Sequence, residues 1–314
     1  MRTRRVFLLL IALLWLARLA PGQWAANQPI QWIVRETSGD DQWGYVAPDG
    51  AAITYSRSID GQTWQLLVTN PDGQSPRPFL IAPPAASLTR GAWSRPHHRF
   101  AFTGSSAGDV GTAVYVVDAT GRDVRRVPAQ GVSARAMYAS WMPDGRSVVV
   151  VDYGAAGGSA LYRIDIESGR SSALTNPAEF LVGMPSVSPN GQLIAFAGQP
   201  NRGATYDQTK NQIWILPMGG RPYQVSAGQG RQPDWSPDGR WLAFTSNRGD
   251  STGRHAVFVV DPTGHNLIQL TDHSPDAQHP VWSPDGTWLM FSAEATERRG
   301  VFGLARITVP ALPK

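Results

Sequence analysis

Short apolar segments with the length and period of β-strands recur along the chain, and tight turns separate them. In the stretch Trp235-Ser236-Pro237-Asp238-Gly239-Arg240-Trp241-Leu242-Ala243-Phe244-Thr245-Ser246, one short strand runs into a Pro-Asp-Gly reversal. Beyond it Trp241, Ala243 and Thr245 alternate with Leu242, Phe244 and Ser246, the period of a β-strand. Proline presets φ for the turn and glycine accepts the positive φ that other residues resist.

The turn recurs at Pro48-Asp49-Gly50, Pro143-Asp144-Gly145, Pro189-Asn190-Gly191 and Pro284-Asp285-Gly286. A degenerate copy, Trp93-Ser94-Arg95-Pro96-His97-His98-Arg99-Phe100-Ala101-Phe102, aligns with Trp235–Phe244 without a gap. With Arg95 as its anchor, the six anchors fall at 48, 95, 143, 189, 237 and 284, at spacings of 47, 48, 46, 48 and 47. Each unit carries a second hairpin: an apolar strand such as Val257-Phe258-Val259-Val260, a glycine turn such as Pro262-Thr263-Gly264, and a strand ending near Leu270-Thr271. Four antiparallel strands per unit of this length predict a propeller blade.

Labelled A to D from the innermost outward, the last unit has A around Val281-Trp282, B at Thr287–Ser292 and C at Val301–Val309, with no D strand after it. Gln31-Trp32-Ile33-Val34-Arg35 stands before the first anchor where a D strand belongs, because Arg35 precedes Pro48 by as much as Thr271 precedes Pro284. The expectation is an all-β, six-bladed β-propeller over residues 27–314, its last blade closed by the N-terminal strand. Such closure removes an exposed sheet edge.

Composition narrows the chemistry. The chain has no cysteine, which excludes disulfides, thiolate metal sites and cysteine nucleophiles. Its formal charge of +4 comes from Arg2, Arg4, Arg5 and Arg18; beyond residue 22 the basic and acidic residues balance, so nothing points to nucleic acid. Those arginines flank the apolar run Val6–Ala17, which is short for a membrane span, and Ala20-Pro21-Gly22 offers small residues for cleavage. Residues 1–26 therefore read as a signal peptide or an N-terminal membrane anchor, and the location as extracytoplasmic: periplasmic or cell-surface.

The motif Trp-Ser-Pro-Asp-Gly-x-x-Leu-x-Phe, followed by Val260-Asp261-Pro262-Thr263-Gly264 and Leu270-Thr271, resembles the PD40 repeat of the TolB-like six-bladed β-propellers. The resemblance covers nearly the whole chain after residue 27 and is strongest in the last two blades. It implies the propeller fold and a cell-envelope protein that works by binding. TolB carries an α/β domain ahead of its propeller, and this sequence shows no counterpart to it. Related propellers precede the hydrolase domain of prolyl-oligopeptidase-type peptidases, and no hydrolase pattern follows blade six here.

Connectivity assigns loops to faces. The Pro-Asp-Gly and C–D turns are short and share one face; the longer B–C and D–A loops share the other, which is the expected working face. Strand A begins there beside the central channel. Three residues before the strand-A tryptophan, or its equivalent, each blade offers one residue to the channel mouth: Trp43, Arg90, Tyr138, Met184, Gln232 and His279. Aromatic, cationic and amide groups in one ring suit a peptide segment or a polar small molecule, although such a ring could equally plug the channel.

Other motifs carry less. Gly104-Ser105-Ser106-Ala107-Gly108 matches a nucleophile elbow in sequence, but a strand follows it where that device needs a helix. Ser58-Ile59-Asp60-Gly61-Gln62-Thr63-Trp64 is near the sialidase Asp-box and reads as a hairpin turn with Trp64 packed beside it. His255, His273 and His279 share the long-loop face and could converge on a metal, while His97, His98 and His265 lie on the other face. Histidines scattered singly do not make a ligand set, so neither metal nor cofactor is expected. The functional expectation is an exported, non-catalytic binding or scaffold propeller with a protein or peptide partner in the cell envelope. The alternative is a propeller-fold lyase or hydrolase acting on a saccharide or peptide. A sensor propeller serving a separate catalytic chain is a third reading.

Overall fold

The computed structural model describes residues 29–313, apart from 36–38, 59, 82–86, 106–110, 155–157, 204–206, 227 and 296–299. Residues 1–26, which the sequence suggests are a signal peptide or membrane anchor, lie outside the described residues. Six four-stranded antiparallel sheets form six blades. Their innermost strands are Asp40–Val46, Ser87–Ser94, Ala136–Trp141, Phe180–Val187, Arg231–Trp235 and Gln278–Trp282, numbered here as blades 1 to 6. Each innermost strand neighbours the next, and blade 6 neighbours blade 1, so the ring is closed.

Closure runs through the N-terminal strand, as expected. Gln31–Val34 is the outer strand of blade 6 and pairs antiparallel with Phe302–Thr308, with Gln31 opposite Arg306 and Trp32 opposite Ala305. A bulge between Trp32 and Val34 shifts the register within that pairing. Asp40 reinforces the seam by accepting the Phe302 N–H at 3.0 Å. The fourth strands of the other blades are short, two residues in blades 1, 2, 4 and 5.

The repeated motif has a structural task at every position. Ser236 Oγ donates to Asp238 at 2.6 Å and accepts the Trp241 N–H at 2.9 Å, while Asp238 accepts the Arg240 N–H at 3.0 Å. Gly239 sits at φ +70 and closes the turn onto the Ser236 carbonyl at 2.9 Å. The Ser283–Asp285 pair at 2.7 Å and the Ser188–Asn190 pair at 2.8 Å repeat the arrangement. The tryptophans join neighbouring blades: Trp235 Nε1 donates to the Ser186 carbonyl and Trp141 Nε1 to the Ala92 carbonyl, both at 3.0 Å.

The core lies between blades rather than in a single centre. Trp282 and Phe291 of blade 6 pack with Val257 and Val259 of blade 5, all buried. Met290 of blade 6 packs with Ile53 and Tyr55 of blade 1 across the seam. Side chains that alternate to opposite faces of each sheet thus supply both inter-blade layers. Among the described residues no helix is long and apolar enough to cross a membrane.

Candidate functional site: the channel ring and its cavity

All six ring positions share one unusual backbone state. Trp43, Arg90, Tyr138, Met184, Gln232 and His279 have φ values of +54, +45, +60, +51, +57 and +53. In every blade the pairing of the innermost strand skips at this residue, between Gln42 and Tyr45 in blade 1 and between Gln278 and Val281 in blade 6. A bulge of this kind bends the strand and re-aims a side chain. For a residue with a Cβ the left-handed region costs about 1–2 kcal/mol, and the chain meets that cost at all six ring positions, as well as at Ser75, His98, Asn266 and Asp276 elsewhere.

The bulges bring most of the ring into mutual contact. The Arg90 guanidinium lies over the rings of Trp43 and Tyr138, at 4.6 and 4.3 Å from their centroids, and hydrogen-bonds the Tyr138 hydroxyl. Trp43 meets His279 edge-on at 5.8 Å, and Trp64 packs against Trp43 at 4.4 Å. Trp64 belongs to the hairpin in which Asp60 accepts the Gln62 and Thr63 N–H groups at 2.9 and 2.7 Å. Those bonds hold the Asp60 carboxyl at about 2.

The hydrogen bonds around Gln232 fix the state of His279. Gln232 Oε1 accepts the His279 N–H at 2.9 Å and the Thr245 hydroxyl at 2.8 Å, so its amide nitrogen is the atom 2.7 Å from His279 Nε2. That nitrogen must donate, so Nε2 accepts and the imidazole proton sits on Nδ1. Burial, with Arg90 and Arg231 nearby, lowers His279 well below its ordinary value and keeps it neutral. Its Nδ1 is buried and has no hydrogen-bond partner among the described residues.

Next to the ring lies a cavity of about 530 Å³ along the channel axis. Arg90, Tyr138, Met184, Gln232 and His279 line one end of it, and Pro48, Pro96, Pro143, Pro189 and Pro284 of the turns line the other. The cavity therefore extends from the ring toward the short turns. The ring stands at one end of this cavity and the turns at the other. Trp43 stands behind the wall, under Arg90. Between the two ends the wall is mainly apolar and aromatic, with Trp93 and Val281 among its residues and Asp234 as its acidic group.

The remaining candidates are dispersed. His255 Nδ1 pairs with Asp276 at 3.0 Å, and Arg231 contacts the other side of the same imidazole. The His273 carbonyl accepts from Arg254, which also pairs with Glu294. These contacts tie the B–C and D–A loops of blades 5 and 6 together. His97 Nε2 reaches the Asp144 carbonyl at 3.0 Å and His265 the Thr263 hydroxyl at 2.7 Å, both on the turn face. Among the described residues no three histidine, aspartate or glutamate side chains converge as metal ligands. Ser106 lies outside the described residues; Gly104 and Ser105 end a strand of blade 2.

Neither Asp234 nor the cavity's outer rim is among the candidate site residues that the repeat pattern singles out. Asp234 could have been found by comparing blades, because the residue two beyond each ring member is otherwise Tyr45, Ala92, Ser140, Ser186 and Val281. It is the acid among neutral residues at one repeated offset.

No family model matches the sequence. An uncharacterised protein of Agrobacterium fabrum is 29% identical over 137 residues, which is 41% of this chain and 41% of that protein, so the match spans about two fifths of the relative. A structure assigned as TolB from Agrobacterium tumefaciens superposes with a TM-score of 0.64 at 20% identity, over 88% of this chain and 93% of that one. A gluconolactonase from Xanthomonas campestris superposes with a TM-score of 0.65 at 13% identity, over 91% of each chain. The fold is that of the TolB-like six-bladed propellers, and enzymes share it.

Proposed function

We propose that this protein is an exported binding propeller that engages an extended segment of a protein or peptide partner in its central channel. The observation that carries the reading is the ring itself. Six different side chains occupy one strained backbone position around a channel, and five of them line one end of a cavity whose wall combines apolar and aromatic residues with a few charged groups, the composition of a ligand site. Strain that recurs where the side chains differ supports a use for those side chains. The proline rim supports entry from the turn face, in place of the long B–C and D–A loops that strand direction first suggested. The basic and apolar leader supports a location outside the cytoplasm, and the TolB-like architecture agrees with a partner in the cell envelope.

A second reading has one observation in its favour. Neutral His279, Arg90 and Asp234 share the cavity, and a gluconolactonase shares the fold. A hydrolase or lyase acting on a saccharide would use such groups. Affinity capture from envelope extracts, run with the native chain and with an Arg90→Gln, His279→Gln double variant, separates the two. Binding predicts a stoichiometric protein partner that the variant loses while its circular dichroism is unchanged. Turnover of sugar lactones or oligosaccharides by the native chain would overturn the binding reading.

A further inference from the structure

The cavity wall carries a charge that the scaffold does not need. In blade 3 the residue two beyond the ring is Ser140, whose Oγ accepts the Val187 N–H of blade 4 at 3.0 Å. Asp234 does the same in blade 5, its Oδ2 accepting the Trp282 N–H of blade 6 at 2.9 Å. A neutral hydroxyl therefore performs this inter-blade bond, and the negative charge is surplus to it. The surplus is costly. Burial drives the Asp234 carboxyl up to about 6, against the opposing effects of the Trp282 N–H and the Arg95 guanidinium. The Ser186 hydroxyl of blade 4 makes a long contact, 3.5 Å, with its Oδ1, and the Trp235 N–H also approaches the carboxyl.

The opposite charge stands across the channel. In a ring of six, blade 2 lies diametrically opposite blade 5, and it supplies both guanidinium groups of the wall: Arg90 at the inner end and Arg95 at the rim. Asp234 is the acidic residue of the lining. A purely cationic ligand would meet two arginines and a purely anionic one would meet Asp234. A ligand with both charges, separated by apolar atoms that lie against Trp93 and Val281, satisfies all of them.

On the reading that the channel takes a peptide, we propose that the peptide is dipolar, setting an ammonium or guanidinium against Asp234 and a carboxylate against Arg95. The two charges can come from the termini of a short free peptide or from a basic and an acidic side chain of a longer segment.

Calorimetric titration of the full chain tests this with Ala-Trp-Leu-Ala in four forms: free at both ends, N-acetylated, C-amidated and doubly blocked. Doubly blocked Lys-Trp-Leu-Glu is the fifth probe. Either the free tetrapeptide or the blocked Lys/Glu peptide should bind at least about tenfold more tightly than doubly blocked Ala-Trp-Leu-Ala, the scale of one charge-assisted hydrogen bond. The first preference identifies a free peptide and the second a segment of a longer chain. In Asp234→Ser, which retains the hydroxyl found in blade 3, the advantage of the positive group should vanish. In Arg95→Gln, at the exposed rim, the advantage of the carboxylate should vanish. Asp234→Asn serves as the second variant if Asp234→Ser does not fold. Equal binding of all five probes, or an advantage that survives Asp234→Ser, overturns the dipolar proposal and leaves peptide binding in the channel standing. No binding by any probe overturns both.

Discussion

The two ends of each innermost strand obey different rules. At the turn end the same residues recur with tasks that chain geometry demands: serine and aspartate hold the reversal, glycine takes φ +70 to +72 in the Gly239 and Gly286 turns, and the tryptophans of blades 2, 3 and 5 bond the preceding blade. At the ring end the backbone recurs as faithfully, with φ between +45 and +60 in all six blades, while the side chains share nothing. Repetition of residues marks scaffold. Repetition of a strained backbone beneath changing residues marks a surface whose chemistry is free to be specified. The most recognisable stretch of the sequence is therefore the least informative about activity.

The largest effect expected from this contrast is at the scaffold end. Trp235 is buried and its indole bonds the Ser186 carbonyl; Trp235→Ala should cost about 3–5 kcal/mol, measurable by urea unfolding. A cost below about 1 kcal/mol, the scale of an exposed substitution, would break the contrast.

Asp234 sharpens it through pH. Its folded-state value, about 6, lies above the ordinary 3.8. A carboxyl raised on folding lowers stability as pH climbs from 3.8 through 6, and the loss is complete above that window. Asp234→Ser should therefore unfold at higher urea than the native chain at pH 8, by up to about 3 kcal/mol for a shift of about two units, and the gain should disappear below pH 4. An Asp234→Ser variant less stable at pH 8 would show that the carboxylate serves the scaffold after all.

The smallest effect is the difference between two substitutions at one ring residue. Met184 is buried at φ +51. Truncating a buried methionine to alanine ordinarily costs about 2–5 kcal/mol. Met184→Gly removes the side chain but also releases about 1–2 kcal/mol of left-handed strain, so it should destabilise less than Met184→Ala. The reverse order, measured by the same unfolding series, would remove the strain argument.

Much of this contrast was legible in the sequence. Anchors at intervals of 46 to 48 residues set the blade count, and the gap before Pro48 located the strand that closes blade 6. The same alignment picked the six ring residues, because a fixed offset from a repeated tryptophan survives changes in loop length. What it could not supply is conformation. The bulge at each ring residue depends on pairing with the next strand, and no glycine announces the positive φ. The stacking of Arg90 on Trp43 and Tyr138 joins residues from three blades, and the direction of the cavity depends on which side chains touch. Asp234 was hidden for a different reason: attention to residues that recur passes over the one that departs from its counterparts.

The central claim is that a partner enters the channel from the turn face and reaches the ring. A photoreactive benzophenone side chain placed at Val281, in the cavity wall, tests it most directly when the protein is irradiated in intact cells; the same group at Tyr223, on the outer strand of blade 4, is the control. The account predicts a discrete protein or peptide adduct from position 281, absent from position 223 and lost in the Arg90→Gln, His279→Gln variant. Adducts from position 223 alone, or an adduct at 281 unchanged by the ring variant, would contradict it.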